Sequence, residues 1–478
     1  MAHVLAVALA GAFAACTLGE TLRPTGSTGD DGPGFEFASS SGGSDDSAAT
    51  GDDGLDLPDA CVDGGLCTNP SCNGQPTRLL GTVYDPGGTT PLPGVQVFVT
   101  LGTLPAITPG LAADTCAQAA LIKGLAITVT TDESGRFAIA DAPSGSNVPL
   151  VMQIGKWRRE VFVPSVVPCT DNALPASLTR LPRNRSEGDL PQIAVLTGAC
   201  DRLACLFARI GVDPSEFTGP TGGGRVHVYR GAGPGPDLEG GGAGPAGDCT
   251  GAVGACPLWS TATALSAYDL VALGCECGEN NQTKPDRTPM YDWLNAGGQL
   301  VAIHDQETWL KDGPGPFPSV ATWSDSDATA PGPYTVPPEL DASPFAAWLD
   351  AGAGTLALDP SDVAATVTRV DEGVARAWIT AGDPLDGGTV AAFVVSTRFA
   401  ADGGVLAGDA GAAPAQGRAI VTDIHVGANG ATSTAGVPGS CATGPLTPEE
   451  RALESMIFDQ TFCDESPVLL SPVSAGTH

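Results

Sequence analysis

Residues 268–309 read YDLVALGCECGENNQTKPDRTPMYDWLNAGGQLVAIHDQETW, and the fold turns on how this stretch is parsed. Leu270 to Leu273 and Leu300 to Ile303 are short apolar runs bounded by glycine, the signature of buried parallel strands. Between them, Met290 to Leu294 supplies the apolar part of a crossover helix. Ligands of open α/β sheets sit beyond the carboxyl ends of the strands, which marks Cys275 and His304 as candidate site residues.

The pattern extends outward from this unit. Ile193 to Leu196 reads as a strand, and Leu203, Leu206, Phe207 and Ile210 recur at helical spacing. Val226 to Tyr229, Thr389 to Val395 and Arg418 to Val426 supply further strands, while residues 311–342 are rich in proline and read as loop. Pro344 to Leu349 predicts a short helix. A longer one starts with Thr447 as N-cap, Pro448 in the first turn and Glu450 placed for a capping box; its apolar face is Leu453, Met456, Ile457 and Gln460. Alternating β and α elements over 190–465 predict a doubly wound α/β domain.

Upstream, short β-branched runs separated by turns predict a small all-β sandwich over 77–182. Residues 17–76, dominated by Gly, Ser, Thr and Asp, read as a disordered acidic stalk, and 466–478 as a tail. Residues 1–16 resemble a lipoprotein signal, with Ala14 and Ala15 before an acylated Cys16. The expected location is therefore outside the cytoplasm, on the membrane through an N-terminal lipid, periplasmic or at the cell surface.

Composition sets limits on partners. Asp and Glu outnumber Lys and Arg 54 to 22, for a net charge of −32, which repels nucleic acid and anionic lipid. Fourteen cysteines fit an oxidising compartment. Local disulfides are expected for Cys61, Cys67 and Cys72, and for Cys249 with Cys256. With Cys16 lipidated, thirteen remain, so at least one thiol is free or bridges to another chain. No Cys-x-x-Cys pair occurs, and neither a metal nor a cofactor is assigned.

Three resemblances sharpen the expectation. Gly81 to Asp85, Pro93 to Val95 and Asp132 to Phe137 resemble the carboxypeptidase regulatory-like, or transthyretin-like, family, whose domains serve as spacers or adhesion modules. YDLVALG followed by AGGQLVAIH and by QGRAIVTDIHVG (416–427) resembles the class I glutamine-amidotransferase-like fold, in its trehalose-utilisation-like branch. Amidotransferases place a nucleophilic cysteine in an elbow after the Gly-Gly strand; this chain has His304 there, so glutamine hydrolysis is not expected. The whole arrangement, with GKWRR (155–159), LTRLPRN (178–184) and PFPSVATW (316–323), resembles a family of bacterial exported lipoproteins. That family's His-x-His-x-x-Trp pattern is matched by His304 and Trp309, with Gln306 at the second histidine.

The expected role is non-catalytic binding or interaction, toward a cell-wall glycan or a protein. Trp309, Trp323 and Trp348 are candidate glycan contacts. Trp157 is expected to pack on the sandwich while its flanking cations, Lys156, Arg158 and Arg159, reach into solvent. The alternative is an extracellular hydrolase. Cys275 or a bound water would be its nucleophile, His304 or His425 its base, and Asp423, Glu276 or Glu307 its orienting carboxylate; Asp423 and His425 are two apart on a strand and share a face.

Overall fold

The computed structural model describes residues 61–62, 66–67, 72, 74–100, 102–111, 125–232, 247–249, 256–325, 328–337, 349, 355–382, 388–396, 417–426 and 436–459. Cys16 and the expected signal, most of the stalk, residues 344–348 of the expected helix with Trp348, Gln460 and the tail lie outside the described residues. All the described residues belong to the compact unit Leu57–His478. It combines many strands with fewer helices. Among the described residues, no helix is long and apolar enough to cross a membrane.

In the N-terminal part, residues 78–173, two sheets form. One has the order Arg136–Ile139, Arg78–Thr82, Asp171–Ala173; the other runs Leu125–Thr130, Gln96–Thr100, Gly145–Ile154, Trp157–Val166. Leu79, Phe137 and Ile139 of the first share one apolar cluster with Val97, Val99, Leu150 and Met152 of the second. Gly94 and Gly135 both turn the chain at φ +72°, where a side chain would be strained. Cys72 bonds to Cys169, 97 residues away, rather than within a local knot.

The last two strands form one long hairpin, because Gly155 at φ +53° and Lys156 reverse the chain in a tight turn. GKWRR thus sits at the hairpin tip and faces the rest of the molecule. Trp157 is fully buried against Phe458, ring centroids 5.6 Å apart. Lys156 and Arg158 do not reach into solvent as expected; both are buried. Lys156 Nζ donates to the carbonyls of Thr108 (2.9 Å) and Gly110 (2.6 Å) and pairs with Asp269. Arg158 pairs with Asp189 at 2.7 Å. Neighbouring carboxylates and carbonyls satisfy the cations, so the stem need not carry them to water.

The second part is built on a mixed sheet. Five parallel strands, in the spatial order Val226–Arg230, Ile193–Thr197, Leu270–Leu273, Gln299–Ile303, Arg418–Thr422, are continued by antiparallel Thr389–Ser396 and Ala375–Ala381. Short strands extend both edges. The strand order therefore reverses beside Ile193–Thr197, and the neighbouring Leu270 strand leads to Cys275. The helix Leu203–Arg209 buries Leu203, Leu206 and Phe207, and Thr288–Asn295 buries Met290, Trp293 and Leu294. Helix Pro448–Asp459 opens with a reciprocal capping box: Glu450 N–H donates to Thr447 Oγ1 (3.2 Å) and Thr447 N–H to Glu450 Oε2 (2.8 Å). Leu453, Met456 and Ile457 on it are buried in the cluster that also holds Trp157 and the β-strand residues of the N-terminal part.

Burying one tryptophan removes about 150–250 Å² from water, on the order of 4–6 kcal/mol. Trp157 supplies the attraction at this contact, and the ion pairs fix its orientation. Replacing Lys156 by Met leaves the Asp269 carboxylate buried without its cation, so Lys156→Met is expected to lower stability by about 3–5 kcal/mol in urea denaturation. The double variant Lys156→Met/Asp269→Asn should recover most of that loss.

Candidate functional site

Four loops leave the carboxyl ends of four neighbouring parallel strands and meet. The Ile193 strand leads to Asp201, the Leu270 strand to Cys275, the Gln299 strand to His304 and the Arg418 strand to His425. The loops are locked together first by their backbones. Cys200 N–H donates to Cys275 O (3.2 Å), and a Cys200–Cys277 disulfide ties the same two loops. Gly198 makes room for this approach, since a β-carbon there would stand 1.8 Å from the Cys275 carbonyl oxygen.

Asp201 is fully buried and serves two of the loops. Its carboxylate accepts the N–H of Cys275 (2.7 Å) and of Val426 (2.8 Å), and lies 3.3 Å from His425 Nδ1. Burial disfavours a charged His425, but Asp201, with Asp423 and Asp305 further out, raises its pKa above the ordinary histidine value. His304 begins the 3-10 turn after its strand at φ +50°, an uncommon backbone for a residue with a side chain. Its Nδ1 lies 3.5 Å from Cys275 Sγ, and its ring meets His425 edge-on at 4.9 Å between centroids. One donor atom from each of Cys275, His304 and His425 lies within 4.8 Å of the others, so these three residues could hold a metal ion.

Cys275 is the free thiol among the described cysteines and is buried. It donates to Asp305 Oδ2 at 3.2 Å. Burial, reinforced by the charges of Asp201 and Asp305, pushes the thiol far above its usual range, so by itself it stays protonated and a poor nucleophile near neutrality. The nearby Cys277 is held in its disulfide and is no partner for Cys275.

The remaining candidates take other places. Glu276 turns into a buried group with Lys284 (2.9 Å), Gln306 Nε2 (2.9 Å) and the N–H of Ala232 (2.6 Å). Gln306 also donates to Gly274 O (3.2 Å), so it stitches loops together. Asp423 and His425 do not share a strand face: the strand stops at Thr422, where Ile424 bridges to Val363. Asp423 accepts Thr366 N–H (2.8 Å) and Oγ1–H (2.6 Å), while His425 faces Asp201. Glu307 is buried and 3.6 Å from Lys311. Trp309 is buried edge-on against Trp259 and offers no face to a glycan; Trp323 is half-buried, with its indole N–H bonded to Pro318 O.

The carboxylates that meet Cys275 and the two histidines are thus Asp201 and Asp305, which the sequence did not single out. Asp305 adjoins His304, and Asp201 follows a strand end by four residues, so the strand-end rule that singled out Cys275 reaches both.

Burial pushes Glu307 up to about 8 from 4.5; Thr366 and Lys311 oppose the shift, and the charges of Asp423 and Asp305 add to it. A carboxyl with its folded pKa above its unfolded one holds its proton more tightly when folded. Its contribution is therefore present below pH 4.5 and is lost as pH rises toward 8, at up to about 1.4 kcal/mol per pH unit. Urea titrations across that window should show Glu307→Gln with a flatter stability profile than the parent chain; an unchanged slope contradicts the assignment. No protein-family model, curated protein or solved structure matches the chain.

Proposed function

We propose that this chain is an exported, lipid-anchored hydrolase whose site lies at the strand ends of a doubly wound, amidotransferase-like domain carried on a regulatory-like β-sandwich. The observation that carries the reading is the convergence of Cys275, His304 and His425 from three adjacent parallel strands, with Cys275 left free while Cys200 and Cys277 beside it are bonded. Disulfides such as Cys72–Cys169 and Cys205–Cys441 support an oxidising compartment.

The strand-end position supports a catalytic role over a purely binding one, since His304 and Asp305 keep part of their side chains open at 15% and 18% exposure. The protonated thiol argues against a covalent cysteine mechanism, which makes water the nucleophile. In this reading Asp305 accepts a proton as the water O–H bond breaks and the new C–O bond forms at an ester or amide carbonyl. It returns that proton to the leaving group as the old bond breaks.

The test is turnover by the purified full chain on fluorogenic ester, amide and cell-wall peptide substrates. Asp305→Asn is expected to lose about 10²-fold or more in kcat/KM with an unchanged denaturation midpoint. A wild-type chain inert toward every class would overturn the hydrolase reading and return the protein to a non-catalytic binding role.

A further inference from the structure

We infer that Cys275, His304 and His425 are the three protein ligands of a single zinc-class divalent ion. The inference rests on the placement of the site described above, but not on the reaction proposed for it.

The distances fit. Zinc bonds of about 2.3 Å to thiolate and about 2.0–2.1 Å to imidazole, at tetrahedral angles, hold sulfur and nitrogen about 3.6 Å apart. Cys275 Sγ and His304 Nδ1 are 3.5 Å apart, and the whole triad lies within 4.8 Å. Ring orientation is also set. His425 Nδ1 lies 3.3 Å from the Asp201 carboxylate, and a nitrogen of the His425 ring lies within 4.8 Å of the other two donor atoms. His304 presents Nδ1, and its left-handed backbone carries that atom beside the sulfur.

The donor set selects the ion. One thiolate and two imidazoles suit a borderline-soft cation, and an oxygen donor at the edge suits zinc. That edge is Asp305, 3.2 Å from the sulfur and 3.7 Å from His304 Nδ1. Three protein ligands leave the fourth position to water, the arrangement of catalytic zinc sites. Binding breaks the Cys275 S–H bond and forms a sulfur–metal bond; the proton passes to Asp305, which already accepts it, and then to solvent. The Asp201 carboxylate lies 3.3 Å from His425 Nδ1, on the edge of the cluster.

The experiment is a titration of the chelator-stripped full chain, disulfides intact, with Zn²⁺ and, for its spectrum, Co²⁺. One ion per chain is expected, with a thiolate-to-cobalt charge-transfer band, tetrahedral d–d bands and release of a proton. Cys275→Ser should remove the charge-transfer band, and His304→Gly should weaken binding by about 100-fold or more. The glycine accepts φ +50° without strain, so that variant is expected to fold. Asp201→Asn should cost about 10–100-fold in affinity. No stoichiometric binding, or binding untouched by Cys275→Ser and His304→Gly, would overturn the inference. Tight binding without turnover on any substrate would sink the hydrolase reading alone, whereas turnover without stoichiometric metal binding would sink the metal inference alone.

Discussion

Everything at the strand ends depends on one buried carboxylate. Asp201 accepts backbone N–H groups from the loops that carry Cys275 and His425, and touches the His425 ring. A charge with no exposure is tolerable only when its hydrogen bonds are filled, and here the loops fill them. The requirement works in both directions. The loops need an acceptor for N–H groups that no strand partner serves, and the carboxylate needs the loops. Positions of Cys275 and His425 are therefore set by the solvation of Asp201 rather than by their own side chains, and the Cys200–Cys277 disulfide makes the arrangement hard to open.

The opposite ends of the same strands are held by the β-rich N-terminal part. Lys156, at its hairpin tip, grips Asp269, whose second oxygen accepts the N–H of Gln192 at 2.6 Å. Asp269 precedes the strand that leads to Cys275, and Gln192 precedes the strand that leads to Asp201. One cation from the N-terminal part thus fixes the relative height of the two strands whose far ends meet at the site. Burial raises the Asp269 carboxyl and the Lys156 ammonium opposes that shift, so the pair is a specificity device and Trp157 the source of adhesion. A β-rich part of this kind is more than a spacer. It is a wall of the core.

Much of this was legible in the chain because period and punctuation are local. The Leu270 and Gln299 strands, the helix between them and the capping box at Thr447 all follow from neighbours within a few residues. What could not be read was long-range pairing. GKWRR looks amphipathic until Asp269 and Asp189, far along the sequence, arrive to neutralise it. Cys72 looks like part of a local knot until Cys169 comes back on a parallel strand edge. Asp423 and His425 share strand parity in the sequence, but the strand gives way after Thr422 because Ile424 pairs with Val363 and Thr366 captures Asp423. Each miss is a partner that linear spacing does not encode.

The site itself illustrates why a free cysteine can persist in a disulfide-rich protein. Oxidation begins from the thiolate, and the Cys275 thiol is held protonated by burial and by two carboxylates. Its nearest cysteine in sequence, Cys277, is committed to Cys200, so among the described residues no resolving thiol stands beside it. The same negative surroundings that suppress thiolate formation by proton loss favour its formation by exchange of that proton for a cation, because the charge then changes in the direction the carboxylates prefer. Electrostatics that make Cys275 poor as a nucleophile or a redox centre make it suitable as a ligand, and the two histidines placed beside it complete that role.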